Sequence, residues 1–165
     1  MSQSQDTVAN HLKVAPTIVD ICAWWSHATD SKPFGAQILH RDRDDFRFCK
    51  LFVYLTDVKI DNGPHTFLPG SHTVEGIEKL FKARNIQSDQ IQKVFKNDSR
   101  ESSDWIRDQF TSNILEITGK RGSMFLVNTF GYHCGKPPRQ GSRLVFQVVY
   151  AQQAYNRRIE RLSQT

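Results

Sequence analysis

Short apolar segments with the composition of β-strands recur along most of the chain, and turns rich in glycine and proline separate them. The longest segment, 46–55, carries aromatic and β-branched side chains on both faces, as expected for a strand between two layers. Further strands are predicted at 34–39, 65–68, 113–117, 123–127 and 143–151. This pattern predicts an all-β core with the antiparallel, double-sheet architecture of a cupin-like jelly roll, the double-stranded β-helix.

One part of the chain loses the alternation of strands. Within 73–110, apolar residues such as Ile77, Leu80 and Phe81 recur at the spacing of a helix. We interpret this segment as a helical insertion into the core, and we expect it to form a lid over the functional site.

The N-terminal part is predicted to differ from the strands that follow it. Residues 1–15 are mostly polar and are expected to be a flexible lead-in. The segment 18–25 predicts a short amphipathic helix with Thr17 as its N-cap. We interpret the chain as a single domain, 1–165, with a jelly-roll core at 34–152.

The composition is that of a globular protein, and it excludes several classes of function. Of 165 residues, 38% are hydrophobic and 11 are phenylalanine, which is enough to bury a core. No apolar run approaches the ~20 residues of a membrane span, and the N-terminus lacks the pattern of a signal peptide. The net charge of +5 is dispersed, so we expect neither a nucleic-acid nor a membrane partner.

The cysteines indicate the compartment. There are three, an odd number, and they lack the CxxC spacing of a zinc site. They therefore favour a reducing environment, and we expect the protein to be cytoplasmic. The three are Cys22, Cys49 and Cys134.

A histidine and an aspartate two positions apart are the first candidates for chemistry. His40 and Asp42 follow a predicted strand, where alternate side chains point to the same face. Such a pair is weak evidence alone, but His133 and Arg143 lie downstream. Two histidines and one carboxylate form the ligand set of non-haem Fe(II) oxygenases. A guanidinium at 143 could bind a carboxylate of a cosubstrate.

Other residues compete for these roles. Asp44 and Asp45 are alternatives to Asp42, and His65 and His72 are further candidate ligands. Arg143 could equally be a strand residue facing solvent. Its face also carries Val145, Gln147 and Val149, and a buried arginine on an apolar face needs an anion. Phe52 and Tyr54 either line the same cavity or pack in the core.

Two longer blocks of sequence follow the histidine–aspartate pair. Residues 57–72 contain an Asp-Val turn, an Asn-Gly pair, a short strand and a Pro-Gly-Ser-His turn. In 122–143 a glycine-led strand precedes His133, and Arg143 follows it. Together these blocks resemble the phytanoyl-CoA dioxygenase (PhyH)-like family of Fe(II)/2-oxoglutarate-dependent oxygenases, and the resemblance covers about 34–152.

The resemblance implies a jelly-roll core that uses Fe(II), 2-oxoglutarate and O2 to hydroxylate an unactivated C–H bond of a small-molecule substrate. By motif position, it implies His40, Asp42 and His133 as iron ligands. It also implies that Arg143 holds the distal carboxylate of 2-oxoglutarate.

This chain departs from the family pattern in two places. Gly135 stands where the family often has a small polar residue, so we expect a hydroxyl contact to the cosubstrate from Tyr54, Thr129 or Ser142. The segment before His40 is also shorter than in the family. We therefore expect a partner subunit, in a homo-oligomer, to complete the enclosure of the substrate.

Two other classes of function stay open. A different cupin-like metalloenzyme would not need Arg143. A non-catalytic jelly-roll module would bind a partner, with the adjacent Trp24 and Trp25 as candidates for its contact surface.

Overall fold

The computed structural model describes residues 3–87, 89–90 and 103–153. Within this part of the chain, seven strands form two antiparallel sheets. The larger sheet has the order β1-β7-β2-β5 and the smaller sheet the order β4-β3-β6. The strands are β1 Thr17–His27, β2 Phe48–Tyr54, β3 His65–Phe67, β4 Leu115–Ile117, β5 Met124–Val127, β6 His133–Gly135 and β7 Ser142–Ala151. The predicted jelly-roll fold is confirmed.

The core between the sheets follows from the alternation of side chains along each strand. Residues that pair across antiparallel strands share a face, so Phe52 lies in one row with Gln147 and Phe125. The inward side chains of this layer form a cluster that includes Tyr54 and Val145. The inner face thus carries apolar residues together with several polar ones, and the polar ones belong to the candidate functional site.

Helices cover the outer faces of both sheets. Those whose full bounds lie in the described part of the chain are α1 Gln3–Leu12, α2 Val74–Ala83 and α3 Ser103–Phe110. Three short 3-10 helices are Gly35–Gln37, Ile60–Asn62 and Thr111–Asn113. α2 and α3 pack against Leu68, Leu39 and Tyr132 beside the smaller sheet through Ile77, Phe81, Ile106 and Phe110. No helix among the described residues is long and apolar enough to cross a membrane.

The expected insertion at 73–110 is described only in part. α2 and α3 lie near its two ends, and 91–102 fall outside the described residues. Thr73 is the N-cap of α2, since its hydroxyl accepts a hydrogen bond from Gly76 N at 3.0 Å.

The N-terminal residues differ from the expected flexible lead-in at 1–15. Gln3–Leu12 form α1, and its Val8 and Leu12 are buried. These two residues are four positions apart, so they share one helix face, which packs with Cys49 on the larger sheet. This apolar pair holds the helix on the sheet, together with a hydrogen bond from Gln152 Nε2 to Leu12 O at 2.9 Å.

The helix predicted at 18–25 is wrong, because this segment belongs to strand β1. β1 pairs antiparallel with β7 along its length, with one irregularity between Ile18 and Asp20. β-Branched and tryptophan side chains favour a strand, and β7 supplies hydrogen bonds that stabilise it. Trp24 faces inward, whereas Trp25 is exposed and stacks on His27.

The strand predicted at 34–39 is also wrong. Gly35 has a φ of 55°, which interrupts an extended chain, and Gly35–Gln37 form a 3-10 turn. The chain becomes extended enough to pair only at His40, as a single bridge.

Gly63 gives the first test of the fold. Its φ is 73°, and a Cβ atom there would overlap the main chain at Lys136 and the two prolines that follow. Gly63→Ala should lower the free energy of unfolding by at least about 2 kcal/mol, since left-handed strain and the overlap add. Chemical denaturation measures the change.

Gly35→Ala is the matched control. Gly35 also has a positive φ, but no atom lies within 4 Å of the place that a Cβ would take, so only the conformational cost of about 1 kcal/mol applies. Equal losses in the two variants would contradict the role of close packing at Gly63.

Candidate metal centre

Two histidines meet through their main chains. His40 N donates to His133 O at 2.9 Å, and His133 N donates to His40 O at 2.8 Å. This bridge joins two distant parts of the sequence and places the two side chains on the same face. Both side chains are buried, and their ring centroids are 4.4 Å apart.

The Pro-Gly-Ser-His turn holds His133 in place from behind. The fully buried Ser71 hydroxyl donates to Leu68 O at 2.6 Å and accepts from Tyr132 N at 2.7 Å. A Cβ at Gly131 would press on Phe67 and on the Ser71 hydroxyl. This sequence block therefore positions the start of β6 by packing and hydrogen bonding.

Hydrogen bonds set the tautomer of both imidazoles. His40 Nδ1 lies 2.7 Å from Ile38 O, and His133 Nδ1 lies 2.9 Å from Gly131 O. Because a carbonyl oxygen only accepts, each Nδ1 carries the proton and donates it. Each Nε2 is then left with a lone pair, the form in which histidine binds a metal.

Asp42 completes the cluster. Its carboxylate oxygens lie 3.4 Å from His40 Nε2 and 3.3 Å from His133 Nε2. The ligand atoms of the three side chains all lie within 4.8 Å of one another. The two imidazole lone pairs and the carboxylate converge with no proton between them, so the space between them suits a cation. The set of donor atoms matches a divalent transition metal.

The charge states suit metal binding. Burial acts to raise the pKa of Asp42, but contacts with His133 and His40 and the charge of Lys50 outweigh it and hold that pKa well below its usual range. Burial lowers the pKa of His133, although Asp42 opposes this effect. The carboxylate is therefore ionised and the imidazole of His133 is neutral near pH 7.

Contacts with the two histidines distinguish Asp42 from Asp44, although Lys50 binds both aspartates. The Lys50 ammonium lies 2.6 Å from Asp42 Oδ2 and 2.9 Å from Asp44 Oδ2. Asp42 is held in the cluster by a hydrogen bond from its N to Thr129 O, whereas the half-exposed Asp44 contacts only the lysine side of the site. Sequence reasoning gave Lys50 no role, although a lysine on the apolar face of β2 was visible in the strand pattern.

The cluster opens into a cavity of about 580 Å³ between the two sheets. Phe52, Tyr54 and Arg143 line it, as does His65, which is not part of the cluster. The Tyr54 hydroxyl donates to Ile117 O at 2.6 Å and accepts from His65 N at 2.9 Å, so its proton is already used.

The other two predicted hydroxyls lie elsewhere. Thr129 is fully buried behind Asp42, and Ser142 Oγ is 2.8 Å from His27 Nδ1. The exposed His72 lies in the turn before α2. A second cavity of about 650 Å³ lies on the opposite face of the smaller sheet and is lined by Thr66 and Cys134, away from the cluster.

Arg143 is a buried cation without a counter-ion. It is 3% exposed, its Nη2 donates to Ser26 Oγ at 3.1 Å, and its Nη1 donates to Lys136 O at 3.4 Å. Among the described residues it forms no ion pair, and its Nε has no partner. Burial lowers the pKa of Arg143. An arginine nevertheless stays charged, so the cavity holds an unmatched positive charge that fits an anionic ligand.

The fold and the site define a class: jelly-roll proteins with two histidines and one carboxylate converging beside a buried arginine. Within this class, the chain belongs to the phytanoyl-CoA dioxygenase (PhyH) family, whose profile matches residues 10–137. No curated protein matches the chain.

Solved structures with similar folds have low sequence identity to the chain. AviO1 from Streptomyces viridochromogenes Tue57 has a TM-score of 0.58 at 15% identity, over 93% of this chain and 59% of that one. HygX from Streptomyces hygroscopicus, with nickel and 2-oxoglutarate bound, has a TM-score of 0.56 at 15% identity, over 92% and 62%. EctD from S. alaskensis, with bound Fe, has a TM-score of 0.57 at 17% identity, over 89% and 48%. The chain thus spans less than two-thirds of each of these proteins.

Buried histidines predict how the metal-free protein responds to acid. Burial lowers the pKa of His65 and of His133, so the unfolded chain, with histidine pKa near 6.5, takes up protons before the folded one. Stability from these groups is complete above about pH 6.5 and is lost as the pH falls below it. The melting temperature of chelator-treated protein should fall between about pH 7.5 and about pH 5.5.

The variant His65→Leu removes one of these groups, so its melting temperature should fall less over the same interval. Thermal melts monitored by circular dichroism measure both slopes. An equal slope in the variant would show that acid acts through other residues.

Proposed function

We propose that the chain is a non-haem Fe(II)- and 2-oxoglutarate-dependent dioxygenase that hydroxylates an unactivated C–H bond of a small molecule. The observation that carries this proposal is the single cavity shared by the cluster and Arg143. It combines an unprotonated metal-ligand set with a buried cation that lacks an anion. A keto acid with a distal carboxylate satisfies both features at once.

Each residue has a distinct role in this proposal. His40, Asp42 and His133 hold the metal from one side and leave its other side open to the cavity. Arg143 binds the distal carboxylate of 2-oxoglutarate, and Phe52 forms an apolar wall of the cavity. With its metal and cosubstrate bound, the site would combine the C–H substrate, O2 and 2-oxoglutarate to give alcohol, succinate and CO2.

The two sheets supply the surroundings that this chemistry requires. The two histidines of the cluster are buried, Asp42 is partly buried, and the aromatic residues Phe52 and Phe125 line the cavity beside them. The relatives support a small-molecule substrate, since one HygX structure contains nickel, 2-oxoglutarate and hygromycin B. The side chains that line the cavity would select the substrate of this chain.

The proposal extends to the setting of the protein. The free thiols Cys22, Cys49 and Cys134 support a reducing compartment such as the cytoplasm. A homo-oligomer is supported by exposed apolar side chains on the edge strand β1, notably Ile21 and Trp25.

Succinate release tests the proposed activity. Purified protein with Fe(II), 2-oxoglutarate and O2 should release succinate, slowly without a substrate and faster with one. His40→Ala should lower both metal binding and succinate release by at least about 100-fold, because a ligand is lost. His72→Ala, an exposed histidine outside the cavity, should leave both unchanged.

Arg143→Ala separates this proposal from another metalloenzyme. The KM for 2-oxoglutarate should rise at least about tenfold, because a charge-assisted contact is lost. Metal-dependent activity that Arg143→Ala leaves unchanged would instead favour a different cupin-like metalloenzyme. Absence of both Fe(II) binding and succinate release in the intact protein would refute the proposed function.

A further inference from the structure

His65 lies beside the cluster but is not one of its three members. It begins β3, the central strand of the smaller sheet, and its ring faces the cavity. The ring stacks on His133 with centroids 5.6 Å apart and lies against Phe52 at 4.7 Å. Neighbours on both sides therefore fix its position at the cavity wall.

The imidazole of His65 has no structural hydrogen bond. Its main-chain N donates to the Tyr54 hydroxyl oxygen. Neither ring nitrogen forms a hydrogen bond within the described residues. His40 and His133 differ, because each Nδ1 is bound by a carbonyl oxygen. Packing against Phe52 does not use a ring nitrogen, so this contact does not explain why the residue is a histidine. A buried polar group without a hydrogen-bond partner is unfavourable, so we expect a ligand to supply that partner.

Gly135 explains why the ring is needed at this place. Gly135 pairs directly with His65 across the two strands, and directly opposed residues share a face. A Cβ at Gly135 would lie 3.0 Å from Arg143 Nη2, so this position borders the guanidinium. Because glycine has no side chain, position 135 adds no polar group here, and the ring of His65 lines the same cavity as His133 and Arg143.

We propose that His65 is a cosubstrate-binding residue that donates a ring N–H hydrogen bond to an oxygen atom of 2-oxoglutarate. The imidazole supplies the polar contact that a hydroxyl at position 135 would otherwise make. A neutral imidazole has one N–H, and half a turn about the Cβ–Cγ bond exchanges the two sides of the ring. Either nitrogen can therefore meet the ligand. This inference rests on the proposed function.

Binding measurements separate His65 from the metal ligands. Calorimetry gives the Kd of Co(II) and then the Kd of 2-oxoglutarate for the Co(II)-loaded protein, without turnover. His65→Leu keeps the volume and removes the N–H, so 2-oxoglutarate should bind about tenfold more weakly, the effect of one charge-assisted hydrogen bond. The Kd of Co(II) should not rise, and the melting temperature at neutral pH should not fall.

Two further variants make the test specific. His65→Gln restores a side-chain N–H donor and should recover part of the affinity for 2-oxoglutarate. His72→Leu applies the leucine substitution to an exposed histidine on the turn that follows β3 and should change neither Kd.

The outcomes distinguish His65 from the wider proposal. If the wild type binds 2-oxoglutarate and His65→Leu binds it equally tightly, the proposed role of His65 is overturned. The proposed function is then unaffected. A parallel loss of Co(II) affinity in His65→Leu would overturn the proposed role of His65 as well, in favour of a role in holding the metal ligands. If the Co(II)-loaded wild type does not bind 2-oxoglutarate, the proposed function fails and the role of His65 fails with it.

Discussion

A reciprocal pair of main-chain hydrogen bonds between His40 and His133 is the constraint on which the site depends. It closes the smaller sheet against the segment before β2, and it fixes the distance between the two imidazoles. Nearby carbonyl oxygens then fix the proton of each ring on Nδ1, and Asp42 reaches the cluster because its own N bonds to Thr129 O. Three side chains are thus oriented mainly by backbone contacts.

The charged groups in the cavity between the two sheets are unevenly balanced. Asp42 has Lys50 beside it, so its carboxylate is balanced even without a metal. Within the described ranges, Arg143 has only neutral oxygen atoms as partners, which cannot offset a full charge in a buried place. The cavity therefore combines a compensated negative group with an uncompensated positive one. This imbalance favours a ligand that brings its own negative charge to the arginine end.

The sequence predicted local features well and distant pairing poorly. The strand at 46–55 was readable because strand composition is a local signal, and the cluster residues were readable because their motifs follow the order of a family pattern. β1 was mistaken for a helix, since its partner β7 is more than a hundred residues away and a single sequence does not reveal that pairing. The place of Lys50 beside Asp42 was missed, and His65 was expected only as a candidate metal ligand, for a related reason. Both depend on which side chains face each other across the two sheets.

The contact between Arg143 and Ser26 has a consequence for how ligands leave. Ser26 belongs to β1, the outermost strand of the larger sheet, while the histidines sit on the other sheet. Local opening costs least free energy at fraying ends, and Ser26 lies one residue from the end of β1. Fraying of β1 would loosen the arginine before it disturbed the metal ligands. In the proposed enzyme, this arrangement would let small acids exchange and the ion be retained on separate timescales.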